Sequence, residues 1–151
     1  MRKIMHHLST QSLGIPLAKL IGLAHLHKER LLNQYLDPLG MSSAQFKVLA
    51  AIHYYEMNSP AEICKYLSIN AGSMTRMIER LLKKGLIEKQ PNPEDKRGVL
   101  LNLTATGASL LTQCMDSMEN NVGPLLIGDL STKEVEQLSA LLMRLLPESK
   151  P

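Results

Sequence analysis

The chain has 151 residues, the length of one domain with an added layer of helices. Its aromatic content is only 3%, without Trp, so its core must be built from Leu, Ile, Met and Ala, which favours helices. Its formal net charge of +3 is too small to indicate a nucleic-acid partner by itself. Two cysteines without a CxxC spacing exclude a disulfide framework and a zinc cage, and the lack of a signal peptide or an apolar run of about 18 residues predicts a cytoplasmic protein.

A long first helix is predicted over about 12–35, and the breakers Pro38 and Gly40 are expected to end it. Leu23 and Leu26 lie off its main apolar stripe, so we expect this helix to bury two faces. The main stripe consists of Leu17, Leu20, Ile21, Ala24, Leu31, Leu32 and Tyr35.

Two capping boxes predict the starts of the next two helices, at Ser42-x-x-Gln45 and at Ser59-Pro60-Ala61-Glu62. In each box the serine hydroxyl can accept from the backbone N–H three residues on, and the Gln or Glu side chain can reach back. Pro60 suits the first helical position, where no donor is needed. The first of these helices carries the apolar residues Phe46, Val48, Leu49, Ile52 and Tyr55.

A strongly amphipathic helix is predicted from Ala71 to about Lys84, with Asn70 as its N-cap and Gly85 as its stop. Its two faces differ in polarity, as the spacing i, i+3, i+4, i+7, i+8 of the apolar residues requires. The apolar face has Met74, Met77, Ile78, Leu81 and Leu82, and the opposite face has Gly72, Arg76, Glu79, Arg80 and Lys83.

A β-hairpin is predicted after this helix, with strands at 86–90 and 99–103. A short capped helix, an amphipathic helix and a hairpin in this order have the layout of a winged helix-turn-helix, a DNA-reading device. From Ser73 to Arg97 the chain has seven Lys/Arg against four Asp/Glu, an excess equal to that of the whole chain. The positive charge is therefore concentrated on the amphipathic helix, which would be the DNA-reading helix, and on the hairpin, which would be the wing.

Two further helices are predicted after the hairpin. Thr104 caps the first, whose apolar residues alternate at spacings of four and three, as in a helix packed lengthwise against another. Pro124 is expected to end or kink it near Val122, and Ser131-x-x-Glu134 is a third capping box. The two apolar series are Leu111, Met115, Met118, Val122 and Leu125, then Val135, Leu138, Leu141, Leu142 and Leu145.

These elements predict a mainly α fold with a small β-hairpin wing, in the order α-α-α-α-β-β-α-α. We expect one domain over 1–151, with the winged helix-turn-helix at about 42–104 and dimerisation helices at about 12–37 and 105–147. The terminal helices carry more apolar surface than a lone winged domain needs, so a homodimer is expected.

Arg76 is the candidate base-reading residue, because it lies in the first turns of the amphipathic helix and opposite its apolar stripe. An Arg that is bidentate to guanine is the commonest specific contact with DNA. Gly72 and Ser73 are small, so they leave the N-terminal end of this helix accessible, and the helix dipole at that end favours binding of a phosphate. On an isolated helix Arg76 would be interpreted as a solvated surface residue, but the wing and the preceding capped helix favour a functional role.

The hairpin tip, Asp95-Lys96-Arg97-Gly98, has two interpretations. It can be a simple polar turn, since Asp and Gly favour turns. We favour contact of Lys96 and Arg97 with phosphate or the minor groove, with Asp95 orienting Arg97.

Metal binding and catalysis have no support in the motifs. His25 and His27 lie about 200° apart around a helix, so they cannot share an ion, and His53 lies alone. Cys64 and Cys114 are expected to be small core residues rather than redox sensors. GxSxG, P-loop and HExxH motifs are all missing, so we expect neither an enzyme nor a cofactor.

Three stretches resemble the multiple antibiotic resistance regulator (MarR) family, close to its enterobacterial namesake. The resemblance covers about 12–147, and the third stretch is highly specific to the family. The stretches are Ser43-Ala44-Gln45-Phe46-Lys47-Val48-Leu49, Thr75-Arg76-Met77-Ile78-Glu79-Arg80-Leu81 and Pro91-Asn92-Pro93-Glu94-Asp95-Lys96-Arg97-Gly98-Val99.

The resemblance implies a homodimer whose N- and C-terminal helices interlock and whose two winged lobes read palindromic double-stranded DNA. It implies DNA contacts on the amphipathic helix and in the wing. The candidate contacts, with Arg80 and Lys96 included, are Ser73, Thr75, Arg76, Arg80, Asp95, Lys96 and Arg97.

The resemblance also implies binding of phenolic or aromatic acids between the dimer helices and the winged lobe, or on the lobe itself. Lys89 stands where the namesake has an arginine, so a carboxylate would lose a bidentate partner there. Lys83 stands where the namesake has a cysteine proposed as an oxidation sensor, which excludes a thiol switch at this position, and Pro124 also departs from the pattern. The candidate ligand residues are Pro60, Thr75, Lys89, Ser73, Met77 and Arg80.

The sequence therefore predicts a sequence-specific regulator of transcription that binds double-stranded DNA, a dimeric repressor relieved by small aromatic acids. The alternative is a winged-helix module that binds protein and not DNA. Salt-sensitive binding to duplex DNA would distinguish the two, because counterion release requires phosphates.

Overall fold

The structure is a computed structural model that describes residues 13–93 and 98–146. It confirms the predicted mainly α class with one antiparallel hairpin. The elements are α1 (Gly14–Leu36), a 3-10 turn (Asp37–Leu39), α2 (Ser43–Tyr54), α3 (Pro60–Leu67), α4 (Ala71–Lys83), β1 (Ile87–Pro91), β2 (Val99–Leu103), α5 (Ala105–Ser117), a π-helical turn (Met118–Val122), α6 (Gly123–Ile127) and α7 (Thr132–Met143).

Side-chain caps start five of these helices, as the sequence predicts. All three capping boxes are complete, with the serine accepting from the third backbone N–H and the Gln or Glu side chain accepting from the serine N–H. Asn70 accepts from the N–H of Ser73 at 2.8 Å, and Thr104 accepts from the N–H of Gly107 at 3.0 Å. The helix starts are therefore set by local sequence.

The core lies where the C-terminal half of α1 meets α2, α4, the hairpin and α5. Its most deeply buried side chains include Leu36, Leu49, Ile63, Leu81 and Leu101. The N-terminal half of α1 and the whole of α7 lie outside this core and have no buried residue. Among the described residues, no helix is both long enough and apolar enough to cross a lipid bilayer.

The predicted interruption near Val122 takes the form of a π-helical turn followed by α6. Pro124 has no N–H to donate to the carbonyl four residues earlier, so the α-helical pattern cannot continue through it. The N–H of Gly123 instead reaches the carbonyl of Met118, five residues back. Asn120 donates to the carbonyl of Asp116 at 2.8 Å, which occupies another acceptor beside this turn.

Two glycines allow the close packing at the start of the wing: Gly85 where α4 ends, and Gly107 where α5 packs against it. Gly85 has φ +66°, and the following N–H of Leu86 reaches the carbonyl of Leu81 at 3.0 Å, which closes α4 in a Schellman motif. A Cβ on Gly107 would overlap the carbonyl oxygen of Leu86. Since Thr104 Oγ1 also donates to the carbonyl of Gly85 at 2.6 Å, the start of α5 is held directly against the start of the wing.

The wing is a two-stranded antiparallel sheet whose register pairs Ile87 with Leu103 and Pro91 with Val99. The first strand lies one residue later than the predicted 86–90, because Leu86 belongs to the turn that ends α4. The N–H of Leu101 donates to the carbonyl of Asn58 at 2.8 Å, which ties β2 to the segment before α3.

Candidate nucleic-acid interface

Helix α4 presents one buried face and one exposed cationic face. Met74, Ile78 and Leu81 are buried, and the half-buried Met77 and Leu82 pack against the same core, which confirms the predicted stripe. The exposed face of α4 carries the polar and charged residues Thr75, Arg76, Glu79, Arg80 and Lys83.

The N-terminal end of α4 is ordered by its own polar side chains. Asn70 caps the helix, and Thr75 Oγ1 donates to the carbonyl of Ala71 at 2.9 Å. The guanidinium of Arg76 donates to Ser73 Oγ at 3.5 Å, so it is directed back toward the helix N-terminus. The structure therefore brings three of the predicted contact residues, Ser73, Thr75 and Arg76, to the first two turns of an exposed helix.

Farther along the same face, a shallow open cleft is lined by Arg76, Glu79, Arg80 and Lys83. Three cationic groups surround one carboxylate, so the cleft carries net positive charge. An anionic surface such as a phosphate backbone would be attracted to it.

The predicted ligand residues Pro60, Thr75 and Lys89 lie on three different elements, α3, α4 and β1. Pro60 is half-buried at the first position of α3, Thr75 is exposed on α4 and Lys89 is exposed on β1. Lys89 pairs with Leu101 across the hairpin, and the N–H of Leu101 donates to the carbonyl of Asn58 on the other side of β2, two residues before Pro60. The hydroxyl of Thr75 already donates within its own helix, which leaves its oxygen as an acceptor.

The wing-tip prediction for Asp95, Lys96 and Arg97 lies outside the described residues. Cys114 is fully buried, and this burial raises the pKa of its thiol, whereas Cys64 is half-buried against the core. Within 13–93 and 98–146 no group of three or more His, Cys, Asp or Glu side chains is arranged to hold a metal ion.

A second, apolar cleft lies between the two terminal helices, α1 and α7. Leu17 contributes from α1, and Leu138, Leu141 and Leu142 contribute from α7. These side chains are 39–56% exposed, although they are large and apolar. The two-faced terminal helices that the sequence predicts are therefore present and uncovered in the isolated chain.

Sequence reasoning missed the role of Lys84, which it treated only as the end of α4. The Lys84 ammonium donates to the carbonyl of Gly40 at 2.6 Å and to Gln45 Oε1 at 3.1 Å. The only available signal was a lysine directly after a helix end, where cations interact favourably with terminal carbonyls. Its acceptors lie 44 and 39 residues away in sequence, so no local pattern identifies them.

A capped helix, an exposed cationic helix and a hairpin wing joined in this way define a winged helix-turn-helix protein. The MarR family model matches residues 41–99. The multiple antibiotic resistance protein MarR of Escherichia coli K12 is 44% identical over 133 residues, which cover 88% of this chain and 92% of that protein. The chain belongs to the MarR family, as its sequence motifs predict.

Other relatives and solved structures agree with this assignment. The HTH-type transcriptional repressor NicR of Pseudomonas putida is 30% identical over 76% of this chain and 71% of that protein. The crystal structure of wild-type E. coli MarR in its apo form superposes with a TM-score of 0.80 at 44% identity, covering 87% of this chain and 97% of that chain. A mutant MarR from E. coli complexed with operator DNA has a TM-score of 0.81 at 42% identity, with coverages of 93% and 100%.

Proposed function

We propose that this chain is a dimeric repressor that binds palindromic double-stranded DNA in a sequence-specific manner. The observation that carries the proposal is the exposed cationic face of α4 within a winged helix-turn-helix. The similarity to a MarR structure in complex with operator DNA supports it. Relief of repression by a small aromatic acid is part of the proposal.

The proposed DNA contacts divide by the part of DNA that they reach. Arg76 reads a base edge in the major groove, since its guanidinium lies near the N-terminal end of α4. Ser73 and Thr75 contact the backbone beside it, and Arg80 extends the positive surface along the helix. In the wing, Lys96 and Arg97 contact phosphate or the minor groove, with Asp95 as the partner of Arg97.

The proposed dimer covers the exposed leucines of α1 and α7. A contiguous exposed apolar surface on a soluble protein marks an interaction site. Two-fold symmetry would place two winged lobes on the two half-sites of a palindrome. We propose one domain over 1–151 in which the segments at about 12–37 and 105–147 form the dimer and 42–104 forms the lobe.

The proposed inducer site comprises Pro60, Thr75 and Lys89, with Ser73, Met77 and Arg80 nearby. An apolar wall, a hydroxyl acceptor and a cation together suit a phenolic carboxylate. The protein would act by binding alone, without catalysis, and in the cytoplasm, where its DNA target would lie.

Selection of bound duplexes from a random DNA library by the full-length protein tests the proposal. A palindrome should emerge, and its affinity should fall steeply as salt rises, because neutralised phosphates release counterions. Recovery of no preferred sequence, together with salt-independent binding, would contradict the proposal and favour the protein-binding alternative.

A further inference from the structure

Two polar side chains are deeply buried in this fold, and both lie in the first turn of α2. Ser43 is 2% exposed and Gln45 is 7% exposed, and no other polar or charged residue within 13–93 and 98–146 is buried to this degree. A buried polar group is costly unless it is hydrogen bonded, and a fully bonded one can favour a single packing arrangement over its alternatives. The partners of these two side chains therefore identify what this turn holds together.

Ser43 joins α2 to α1. Its backbone N–H donates to Asn33 Oδ1 at 3.0 Å, and its hydroxyl donates to Glu29 Oε2 at 2.7 Å. Both acceptors lie in the C-terminal half of α1, the helix whose other half belongs to the proposed dimer surface. The start of α2 is thus bonded to the dimerisation helix in a fixed direction.

Gln45 joins the same turn to α4. Its Oε1 accepts from the ammonium of Lys84 at 3.1 Å and from the N–H of Ser42 at 3.2 Å. The ammonium of Lys84 also donates to the carbonyl of Gly40 at 2.6 Å. Because Lys84 directly follows the last residue of α4, these bonds hold the C-terminal end of the reading helix.

The direction of α4 matters because its N-terminal half, away from Lys84, carries Arg76. A helix of 13 residues is about 20 Å long, so a tilt of about 10° around its C-terminal end moves its N-terminal end by about 3 Å. That displacement is close to the spacing of about 3.4 Å between successive base pairs. Apolar packing along the buried stripe is less directional than hydrogen bonds, so it restrains such a tilt less strongly.

We infer that Lys84 is a positioning residue: through Gln45 and Ser43 it fixes the direction of α4 relative to α1 and thereby sets the half-site spacing that the dimer accepts. This inference rests on the proposed function, because spacing has meaning only for a dimer that reads two half-sites.

The test compares two duplexes, the palindrome that the wild-type protein selects and the same palindrome with one base pair inserted at its centre. The wild type should bind the lengthened duplex more weakly. Lys84→Met keeps the apolar stem and removes the ammonium. In this variant we expect the affinity for the selected palindrome, divided by the affinity for the lengthened duplex, to fall by about threefold or more. The matched control is Lys133→Met, which removes the same charge from an exposed position on α7 and should leave the ratio unchanged.

Three results would overturn the inference. A uniform loss of affinity for both duplexes, with an unchanged ratio, would show that Lys84 contributes only stability. A salt slope lowered by about 1 per lobe would show that it contacts a phosphate instead. Gln45→Glu keeps the helix cap and gives Lys84 a charged partner, so its ratio should equal or exceed that of the wild type, and a fall would also contradict the inference.

The two proposals fail in different ways. If the wild type selects no duplex, the proposed function fails and the inference fails with it. If the wild type prefers one spacing and Lys84→Met prefers it equally, only the inference fails.

Discussion

The ammonium of Lys47 on α2 lies 2.6 Å from Glu29 Oε1 on α1, while the other carboxylate oxygen of Glu29 accepts from Ser43. Partial burial raises the pKa of Glu29, but the hydrogen bonds from Lys47 and Ser43 and the positive charge of Lys47 more than offset this. The pKa falls from its ordinary value of about 4.5 to about 2. The charged form of Glu29 is therefore favoured in the folded chain, and it joins the two helices.

This lowered pKa predicts a pH dependence of stability. Because the folded-state pKa lies below the unfolded value, the contribution of Glu29 is complete above about pH 4.5 and is lost as the pH falls toward 2. Between pH 6 and pH 2.5, the free energy of unfolding of Glu29→Gln should fall less than that of the wild type, by about 1–2 kcal/mol once water screening of this partly exposed group is allowed for. Urea unfolding at the two pH values measures the difference. Glu136→Gln, at an exposed position on α7, should behave as the wild type; an equal effect there would remove Glu29 from the explanation.

Gly107 is the position where a single methyl group should be most harmful. Its Cβ would overlap the Leu86 carbonyl oxygen, so in Gly107→Ala either α5 or the start of the wing has to move. We expect a loss of about 2–4 kcal/mol in the free energy of unfolding, in the range of strained backbone and overpacked sites. Gly72→Ala is the matched control, because a Cβ at this first-turn position would make only an ordinary contact with Asn70. Helix propensity favours Ala over Gly and by itself predicts a gain in stability in both variants, so a gain at Gly107 as large as that at Gly72 would show that overlap does not decide the result.

The sequence predicts features of this fold that depend on a few neighbouring residues. The capping boxes, the Gly85 stop and the stripe of α4 are examples, because a helix end or face is determined within two turns. Gly107 gives no such signal, since the need for glycine arises from the carbonyl of Leu86, in the turn between α4 and the wing. The same limitation applies to Glu29 and Lys47, which are 18 residues apart and meet only after α1 and α2 have packed.

The candidate site shows the same division. Asn70, Ser73 and Arg76 lie within one short segment, so their shared position at the start of α4 could be predicted. Lys89 and Pro60 lie on β1 and α3, and these elements are linked through long-range features, the pairing of the wing strands and the bond from Leu101 to Asn58. The sequence placed them together by family resemblance alone, because strand register and loop contacts are not local properties.

The exposed leucines predict an obligate dimer. Leu138 and Leu141 are 47% and 56% exposed on α7, and a Glu at either position would put a charge into the proposed interface. We expect Leu138→Glu to shift sedimentation toward a monomer or an unfolded chain at micromolar concentration. Lys133→Glu introduces the same side chain on another face of α7 and should remain dimeric. A folded, monomeric wild-type protein at this concentration would contradict the prediction.

Arg76 and Arg97 should differ in what they contribute to DNA binding. Arg76→Ala should reduce both affinity and sequence preference, because a lost guanine contact costs about 1–3 kcal/mol of discrimination. Arg97→Ala should mainly weaken binding and, if Arg97 contacts phosphate alone, should lower the salt slope by about 1 per lobe. Titrations of the selected palindrome and of a scrambled duplex at several salt concentrations separate these effects. Equal, sequence-independent losses in both variants would show that Arg76 does not read bases.

Lys89 should determine how strongly an aromatic carboxylate such as salicylate binds and weakens DNA affinity. Lys89 offers a single point charge rather than a planar fork, so we expect affinity nearer millimolar than micromolar, about −4 kcal/mol. Relief should be partial, since a ligand shifts the equilibrium only by its differential affinity for the free and DNA-competent states. DNA affinity measured during a salicylate titration should respond less in Lys89→Ala and more in Lys89→Arg than in the wild type. Identical responses in all three would remove Lys89 from the site, and no wild-type response at tens of millimolar would refute the ligand hypothesis.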